Sequence, residues 1–174
     1  IIGDTIVDTS HNCEAIGATL GNDYLGTLGD IGVMSFDHGK ALTTGEGGML
    51  LSNSKGLDEV AREYHDHGHQ NNPTLPRGRD TKRLVGFNYR MTEIQAAIGK
   101  VQLRKLDRLL VENAKRYDAV DELLSSKFQQ RKTIKGSVGQ KDCYIFRVPL
   151  REEREKIIEL LLEKGFGTKN LPDA

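Results

Sequence analysis

GDIGVMSFDHGKALTTGEGGMLL, residues 29 to 51, sets two short apolar runs, Ile31 to Phe36 and Met49 to Leu51, on either side of one lysine, Lys40. Short runs of branched and aromatic side chains closed off by glycine read as strands. Between them the chain must turn sharply. Gly39, Gly45, Gly47 and Gly48 supply the positive φ angles and the close backbone approach that a turn around a ligand needs. The lysine is thereby expected at a strand edge, where partial burial or a neighbouring cation lowers an ammonium pKa and makes the amine a nucleophile toward an aldehyde or ketone. Spacing alone does not separate this from an ordinary solvated lysine.

The rest of the composition narrows the class. The chain has 174 residues, the size of one ordinary domain, and 37% apolar content, enough to bury a core. Twenty-five basic residues balance twenty-five acidic ones, so no excess positive potential points to nucleic acid or an anionic membrane. No apolar run approaches the roughly 18 residues of a membrane-spanning helix, and the opening IIGDTIVDTS has no signal-like pattern. Cys13 and Cys143 are too few and too far apart for a disulfide framework, which makes a reducing cytoplasm the default expectation. The Gly-Glu-Gly-Gly turn lacks the Gly-Lys-Ser/Thr ending of a nucleotide-triphosphate loop and does not fit Gly-x-Gly-x-x-Gly.

Four ordered motifs carry a resemblance. SFDHGKALTTGEGGML resembles the active-site segment of the DegT/StrS sugar aminotransferases, a branch of the fold type I pyridoxal-phosphate (PLP) enzymes, with its Ser-Phe-x-x-x-Lys and Thr-Thr-Gly-Glu-Gly-Gly pattern. VDTSHNCEAIGAT is similar to that family's cofactor-ring motif, HDHGH to its Asn-His-Gly turn, and GFNYRMTEIQAAIGKVQLRKLD to its following segment nearly residue for residue. The resemblance implies an α/β fold: part of the large-domain sheet of a fold type I PLP-transferase with flanking helices, then the start of a small α+β domain. Residues 1–105 would be the C-terminal part of the large PLP-binding domain, and residues 106–174 the connecting helix and the beginning of the small domain. Because the family is about twice as long, the chain is expected to be an internal fragment.

The same resemblance implies the site. Lys40 would hold pyridoxal 5'-phosphate as a Schiff base and later shuttle the proton, and Ser35, five residues earlier, would donate to the phosphate. Asn88 would reach the phosphate of a neighbouring subunit's cofactor, which implies a homodimer with shared sites. Asp8 would bond the pyridine nitrogen and keep it charged. The segment from Asp8 to Gly17 is about three residues longer than the family pattern, so an ungapped register would put His11 there instead. The apolar pair Ile6-Val7 favours Asp8, since a buried strand ending in a ligand residue needs such a pair. His11 and Glu14 then compete for the ring hydroxyl. A turn or helix-cap aspartate is the ordinary alternative for Asp8.

The implied activity is transfer of an amino group from an amino acid, glutamate being the expected donor, to a keto or aldehydo sugar. That sugar is expected to be nucleotide-linked, in cell-surface polysaccharide or secondary-metabolite synthesis. The alternatives are a sugar dehydratase of the same branch, in which a histidine replaces the lysine, and a non-catalytic relative. Thr43 and Thr44 are expected to add hydroxyl contacts to the cofactor.

Elsewhere, Asn22 to Gly29 reads as a loop or short hairpin. A helix should start at Asn53 or Ser54, capped by that side chain, present Leu57, Val60, Ala61 and Tyr64 on one face, and stop at Gly68. His65, His67 and His69 alternate, which suits neither i,i+4 metal ligation nor a cysteine partner, so substrate or subunit contacts are expected and no metal. Gln70 to Arg83 should be an exposed loop whose Arg77, Arg79, Lys82 and Arg83 either grip a substrate anion or are simply solvated. Thr92 and Gln95 form a capping box. One long helix should follow, with Ile94, Ala97, Ile98 and Val101 in one core stripe and Leu103, Leu106, Leu110, Tyr117, Val120 and Leu124 in another. A loop to Gly139, a strand at Tyr144 to Leu150 and an amphipathic helix at Arg151 to Lys164 complete the expectations.

Overall fold

The structure, a computed structural model, describes residues 15–168. The expected strand at Thr5 to Val7, with Asp8, His11 and Glu14, lies outside those residues. The architecture is mixed α/β. In chain order it comprises β1 (Thr19–Leu20), β2 (Asp23–Tyr24), β3 (Gly32–Ser35), β4 (Gly48–Leu51) and α1 (Lys55–His65). A 3-10 turn at Arg77–Arg79, α2 (Glu93–Leu103) and α3 (Leu106–Leu124) follow. The last elements are β5 (Gln129–Gln130), β6 (Ser137–Val138), β7 (Phe146–Arg147) and α4 (Arg151–Glu163). The described residues fall into two compact units. One runs to Lys115 and takes in Ile134–Asp142, and the other is Arg116–Thr133 with the residues from Cys143 onward.

In the first unit, β3 and β4 pair antiparallel, with Gly32 opposite Leu51 and Ser35 opposite Gly48. The two apolar runs of the opening stretch therefore form one hairpin whose connection carries Lys40. β1 is flanked by β2 and β6, both antiparallel to it, so the turn-rich stretch near Asn22 is a short hairpin. Among the described residues of this unit, Ala18, Phe36 and Leu42 are the buried apolar side chains. In the second unit β5 pairs with β7, Val148 is buried, and Tyr117, Tyr144, Phe146 and Phe128 form a chain of ring contacts. No helix among the described residues is long and apolar enough to cross a membrane.

Several sequence expectations are corrected. The single long helix is two, because Lys105 closes on the carbonyl of Gln102 at 2.9 Å and α3 starts afresh at Leu106. Val101 and Leu103 stand about 200° apart on a continuous helix, so the two apolar stripes would face nearly opposite ways. The break lets the second stripe turn: Leu106, Leu110, Tyr117 and Leu124 are half-buried. The first stripe is not core among the described residues, since Ile94 is 75% exposed and no described element covers that face. The expected strand at Tyr144 to Leu150 shrinks to Phe146–Arg147, and the expected loop before it contains β5 and β6. Ser54 does stand at the N-cap of α1 but makes no side-chain cap; Ser52 Oγ receives the Ser54 N–H at 3.1 Å instead. The capping box of α2 forms as expected, with Thr92 Oγ1 receiving the Gln95 N–H and Gln95 Oε1 receiving the Thr92 N–H.

Candidate active site

The lysine turn is built on Phe36, the first residue of the β3–β4 connection. Its ring is buried, its N–H donates to Gly47 O at 2.8 Å, and its carbonyl accepts Thr44 N–H at 3.0 Å and Thr43 Oγ1 at 3.2 Å. These bonds close the loop at its base. At the near end, Asp37 organises a tight turn: its N–H donates to Ser35 Oγ at 3.4 Å, its Oδ1 accepts the Gly39 N–H at 2.8 Å, and its carbonyl accepts the Lys40 N–H at 3.0 Å. Ser35 and Lys40 thus flank one turn, and both are half-buried. Leu42, buried just beyond, anchors the turn to the core.

The far end is braced from another element. Thr44 Oγ1 donates to Glu46 O at 2.7 Å, and Gln95 Nε2, from the first turn of α2, donates to the same carbonyl at 2.8 Å. Thr43 Oγ1 accepts the Gly45 N–H at 3.0 Å. Both threonine hydroxyls are thus engaged with the loop's own backbone. Gly47, at φ +150°, has no room for a side chain: a Cβ there would lie 2.7 Å from Thr44 Oγ1. Gln95 is a residue that sequence reasoning credited with capping alone.

The charge at the turn has a local cause. The Gly39 N–H on its carboxylate, and then the nearby His38 and Lys40, hold Asp37 below the usual carboxyl range against the opposing effect of burial. His38 Nδ1 lies 3.1 Å from Asp37 Oδ2. Lys40 therefore sits beside a carboxylate that stays charged at neutral pH.

Asn88 is held on a separate arm. Phe87 N–H donates to Tyr64 O at 2.8 Å, His67 N–H to Phe87 O at 2.9 Å and Tyr89 N–H to His65 O at 2.9 Å, so the segment after Gly86 lies along the end of α1. The Asn88 Oδ1 accepts from Arg90 Nε at 3.0 Å, and Arg90 in turn lies 3.4 Å from Asp66. Asp66, 7% exposed at its side chain, is gripped by Arg77 at 2.9 and 2.5 Å. The hydrogen bond from Arg77, with Arg90 and His65 adding to it, pulls the Asp66 carboxyl down from 3.8 to about 2. Arg83 likewise pairs with buried Glu63 through Nε and Nη2, each at 3.1 Å. Arg77 and Arg83, expected on an exposed loop, are partners of buried carboxylates, because a carboxylate out of water needs paired donors.

Donors and nucleophile suit a phosphate-bearing aldehyde. Lys40 supplies an amine on a fixed turn, and Ser35 Oγ, which accepts the Asp37 N–H, keeps its own hydrogen for a further acceptor. Comparison with known proteins agrees in kind. The family described as DegT/DnrJ/EryC1/StrS aminotransferases matches residues 6–171, and the chain belongs to that family. It is similar to the GDP-perosamine synthase of Caulobacter vibrioides, 44% identical over 97 residues (56% of this chain, 25% of that protein). It is similar also to the GDP-perosamine synthase of Escherichia coli O157:H7, 31% identical over 156 residues (90% of this chain, 42% of that protein). Among solved structures, the aminotransferase TlmJ of Streptoalloteichus hindustanus superposes with a TM-score of 0.73 at 29% identity, over 90% of this chain and 42% of that one. The PLP-form of Spr1654 from Streptococcus pneumoniae does so with a TM-score of 0.69 at 25% identity, over 88% and 40%. The chain thus spans less than half the length of the relatives it matches.

Proposed function

We propose that this chain is the lysine-bearing part of a PLP-dependent aminotransferase that moves an amino group from an amino acid, glutamate first among donors, onto a nucleotide-linked keto or aldehydo sugar destined for surface polysaccharide or a secondary metabolite. The observation that carries the reading is the turn itself: one half-buried amine, five residues from a hydroxyl at a strand end, on a loop fixed at both ends by backbone bonds. Family membership and a similar structure in PLP-form support pyridoxal phosphate as the cofactor. Lys40 would hold it covalently. Ser35 and, from a second copy in a homodimer, Asn88 would hold its phosphate; Asp8 would face the ring nitrogen and His11 or Glu14 the ring hydroxyl. In this division residues 1–105 belong to the large cofactor domain, and residues 106–174 to the connecting helix and the small domain. The two distant cysteines support a cytoplasmic setting.

When bound, the cofactor supplies an electron sink that spreads the negative charge left on a deprotonated amino-acid carbon. Lys40 Nζ is the base that takes that proton and holds it for return. Asp37, charged beside it, favours the protonated amine once the proton has arrived, and so steadies the state in which Lys40 is the acid. Phe36, Thr44 and Gln95 keep the turn from drifting while Nζ changes charge.

The test is an absorbance titration of the full-length protein loaded with pyridoxal phosphate. Glutamate is expected to shift the cofactor band, and a nucleotide-linked keto sugar to restore it with release of an amino sugar. A band that no amino acid moves would contradict the proposed function.

A further inference from the structure

Asp66 and Asn88 face each other across one antiparallel bridge. Its hydrogen bonds come from the flanking residues, His67 N–H to Phe87 O and Tyr89 N–H to His65 O, each at 2.9 Å. In a pair of this kind the two side chains stand on the same face and lie closer than in the pair that bonds directly. Alternate residues of an extended segment share a face. Phe87 and Tyr89 stack at 5.5 Å, and each ring also meets Tyr64 of α1, which holds the arm from one side. Asn88 and Arg90 take the other side, with Asp66.

On that side the contacts run in one order. Arg77 meets both oxygens of Asp66, at 2.9 and 2.5 Å, so the buried carboxylate already has paired donors. Arg90 is surplus to that need. Its Nε lies 3.4 Å from Asp66 Oδ1 and 3.0 Å from Asn88 Oδ1, so one N–H edge is held between a carboxylate and an amide. Arginine carries donors only, so the Asn88 atom that meets Nε is the carbonyl oxygen, and the NH2 turns the other way. Asn88 is exposed, and among the described residues no acceptor meets its Nδ2. Asp66 supplies the charge that keeps Arg90 in place, and with its carboxyl at about 2 it holds that charge at neutral pH.

The two ends of an amide have nearly the same shape and the opposite hydrogen-bonding sense. A phosphate accepts from the NH2 and is repelled by the carbonyl, so the rotation of this one side chain decides between attraction and repulsion. We propose that Arg90, oriented by Asp66, is a positioning residue for Asn88: it occupies the amide carbonyl and so presents the NH2 for the cofactor phosphate of a second copy. The inference rests on the reading of Asn88 given above and deepens it, by naming what sets the sense of that contact. The resemblance gives this turn as Asn-His-Gly where the chain has Asp66-His67-Gly68, so the carboxylate is a feature of this chain.

The experiment compares the affinity of the full-length protein for pyridoxal phosphate and for pyridoxal, which lacks the phosphate, by fluorescence titration. Both aldehydes react with an amine, so the ratio of the two affinities isolates what the protein does for the phosphate. Arg90→Met is expected to weaken pyridoxal phosphate roughly threefold to tenfold, about the worth of one hydrogen bond, and to leave pyridoxal unchanged. Asn88→Ala should lose at least as much. Arg90→Met added to Asn88→Ala should cost nothing further, since the arginine acts through the amide. Asp66→Asn should move the ratio the same way; because it also strips Arg77 of its partner, Arg90→Met is the variant that decides if Asp66→Asn melts early. Equal losses for the two aldehydes would make Arg90 structural and overturn the proposal. So would an unchanged ratio in Arg90→Met or in Asn88→Ala, or full additivity of the two. Each of those results leaves wild-type cofactor binding, and with it the aminotransferase reading, intact. Wild-type protein that binds neither aldehyde would overturn both together.

Discussion

Asp37 shapes the lysine turn, because it receives one N–H of the turn on its carboxylate and another on its carbonyl. Replacing it by alanine removes the carboxylate bond to Gly39 and the negative charge beside Nζ. The half-reaction with glutamate in Asp37→Ala is expected to slow, and its pH profile to move to lower pH, since an ammonium without a neighbouring carboxylate loses its proton more readily. A profile that stays in place would show that the carboxylate does not act on Lys40. Gly47→Ala tests the other end: with φ +150° and Thr44 Oγ1 2.7 Å from the new methyl, the loop must shift. Weaker cofactor binding and a lower unfolding midpoint are expected, read by fluorescence titration and thermal melting. The hairpin that carries Ser35 and Lys40 was legible in sequence because two apolar runs separated by a glycine-rich stretch fold back on each other. The bonds of Thr43 and Thr44 to the Phe36 and Glu46 carbonyls were not, since a hydroxyl's chemistry does not say which acceptor stands nearest. Gln95 meets Glu46 across 49 positions, a distance no local pattern spans.

At the scale of elements, α2 is both a helix and a brace. Its capping box satisfies the Thr92 and Gln95 N–H groups, and the same Gln95 side chain that closes the box reaches the Glu46 carbonyl. Gln95→Ala is therefore expected to cost about 1 kcal/mol through the cap alone and, unlike a cap lesion at Thr92, to loosen the lysine loop as well. Chemical denaturation gives the first quantity, and cofactor affinity, compared between Gln95→Ala and Thr92→Ala, gives the second. Equal cofactor affinity in the two variants would remove the brace. The arm after α1 rests on Asp66. A carboxyl whose folded pKa is about 2 against an ordinary 3.8 contributes stability that is present above roughly pH 4 and is lost as pH falls through 2. Asp66→Asn is expected to be less stable at pH 7 and to lose less stability than the wild type between pH 4 and pH 2, measured by denaturant midpoints. The capping box of α2 and the start of α4 were readable because they are local. The break at Arg104 was visible only as a change of apolar face, and the ion pairs of Arg77 and Arg83 were hidden because a basic loop looks the same in sequence whether its partner is a substrate or a buried carboxylate.

At the scale of the molecule, each compact unit carries its own pH signature. In the unit formed by Arg116–Thr133 and the residues from Cys143, burial first, and then its hydrogen bond to Asp121 at 2.9 Å, push the Tyr144 hydroxyl up from 10.0 to about 12. Folding keeps that phenol protonated. Its contribution is complete below pH 10 and is lost as pH rises through 12. Tyr144→Phe is expected to lower the unfolding midpoint at pH 7 and to flatten the alkaline loss, followed by melting between pH 8 and 12. The family was legible over nearly the whole chain because its motifs are short, ordered and local to the loops that carry chemistry. Burial was less so: Ile94, Ile98 and Val101 pattern as core yet lie 41 to 75% exposed here, in a chain that spans 42% of its E. coli relative. Periodicity reports that a face is apolar, and what covers it is a tertiary fact.

The most direct measurement is borohydride reduction of the full-length protein with pyridoxal phosphate, followed by peptide mapping by mass spectrometry, in the wild type and in Lys40→Ala. The reduced pyridoxyl adduct is expected on the peptide containing Lys40 in the wild type and on no peptide in the variant. An adduct on a different lysine, or one that persists in Lys40→Ala, would contradict the assignment of this turn as the cofactor's anchor.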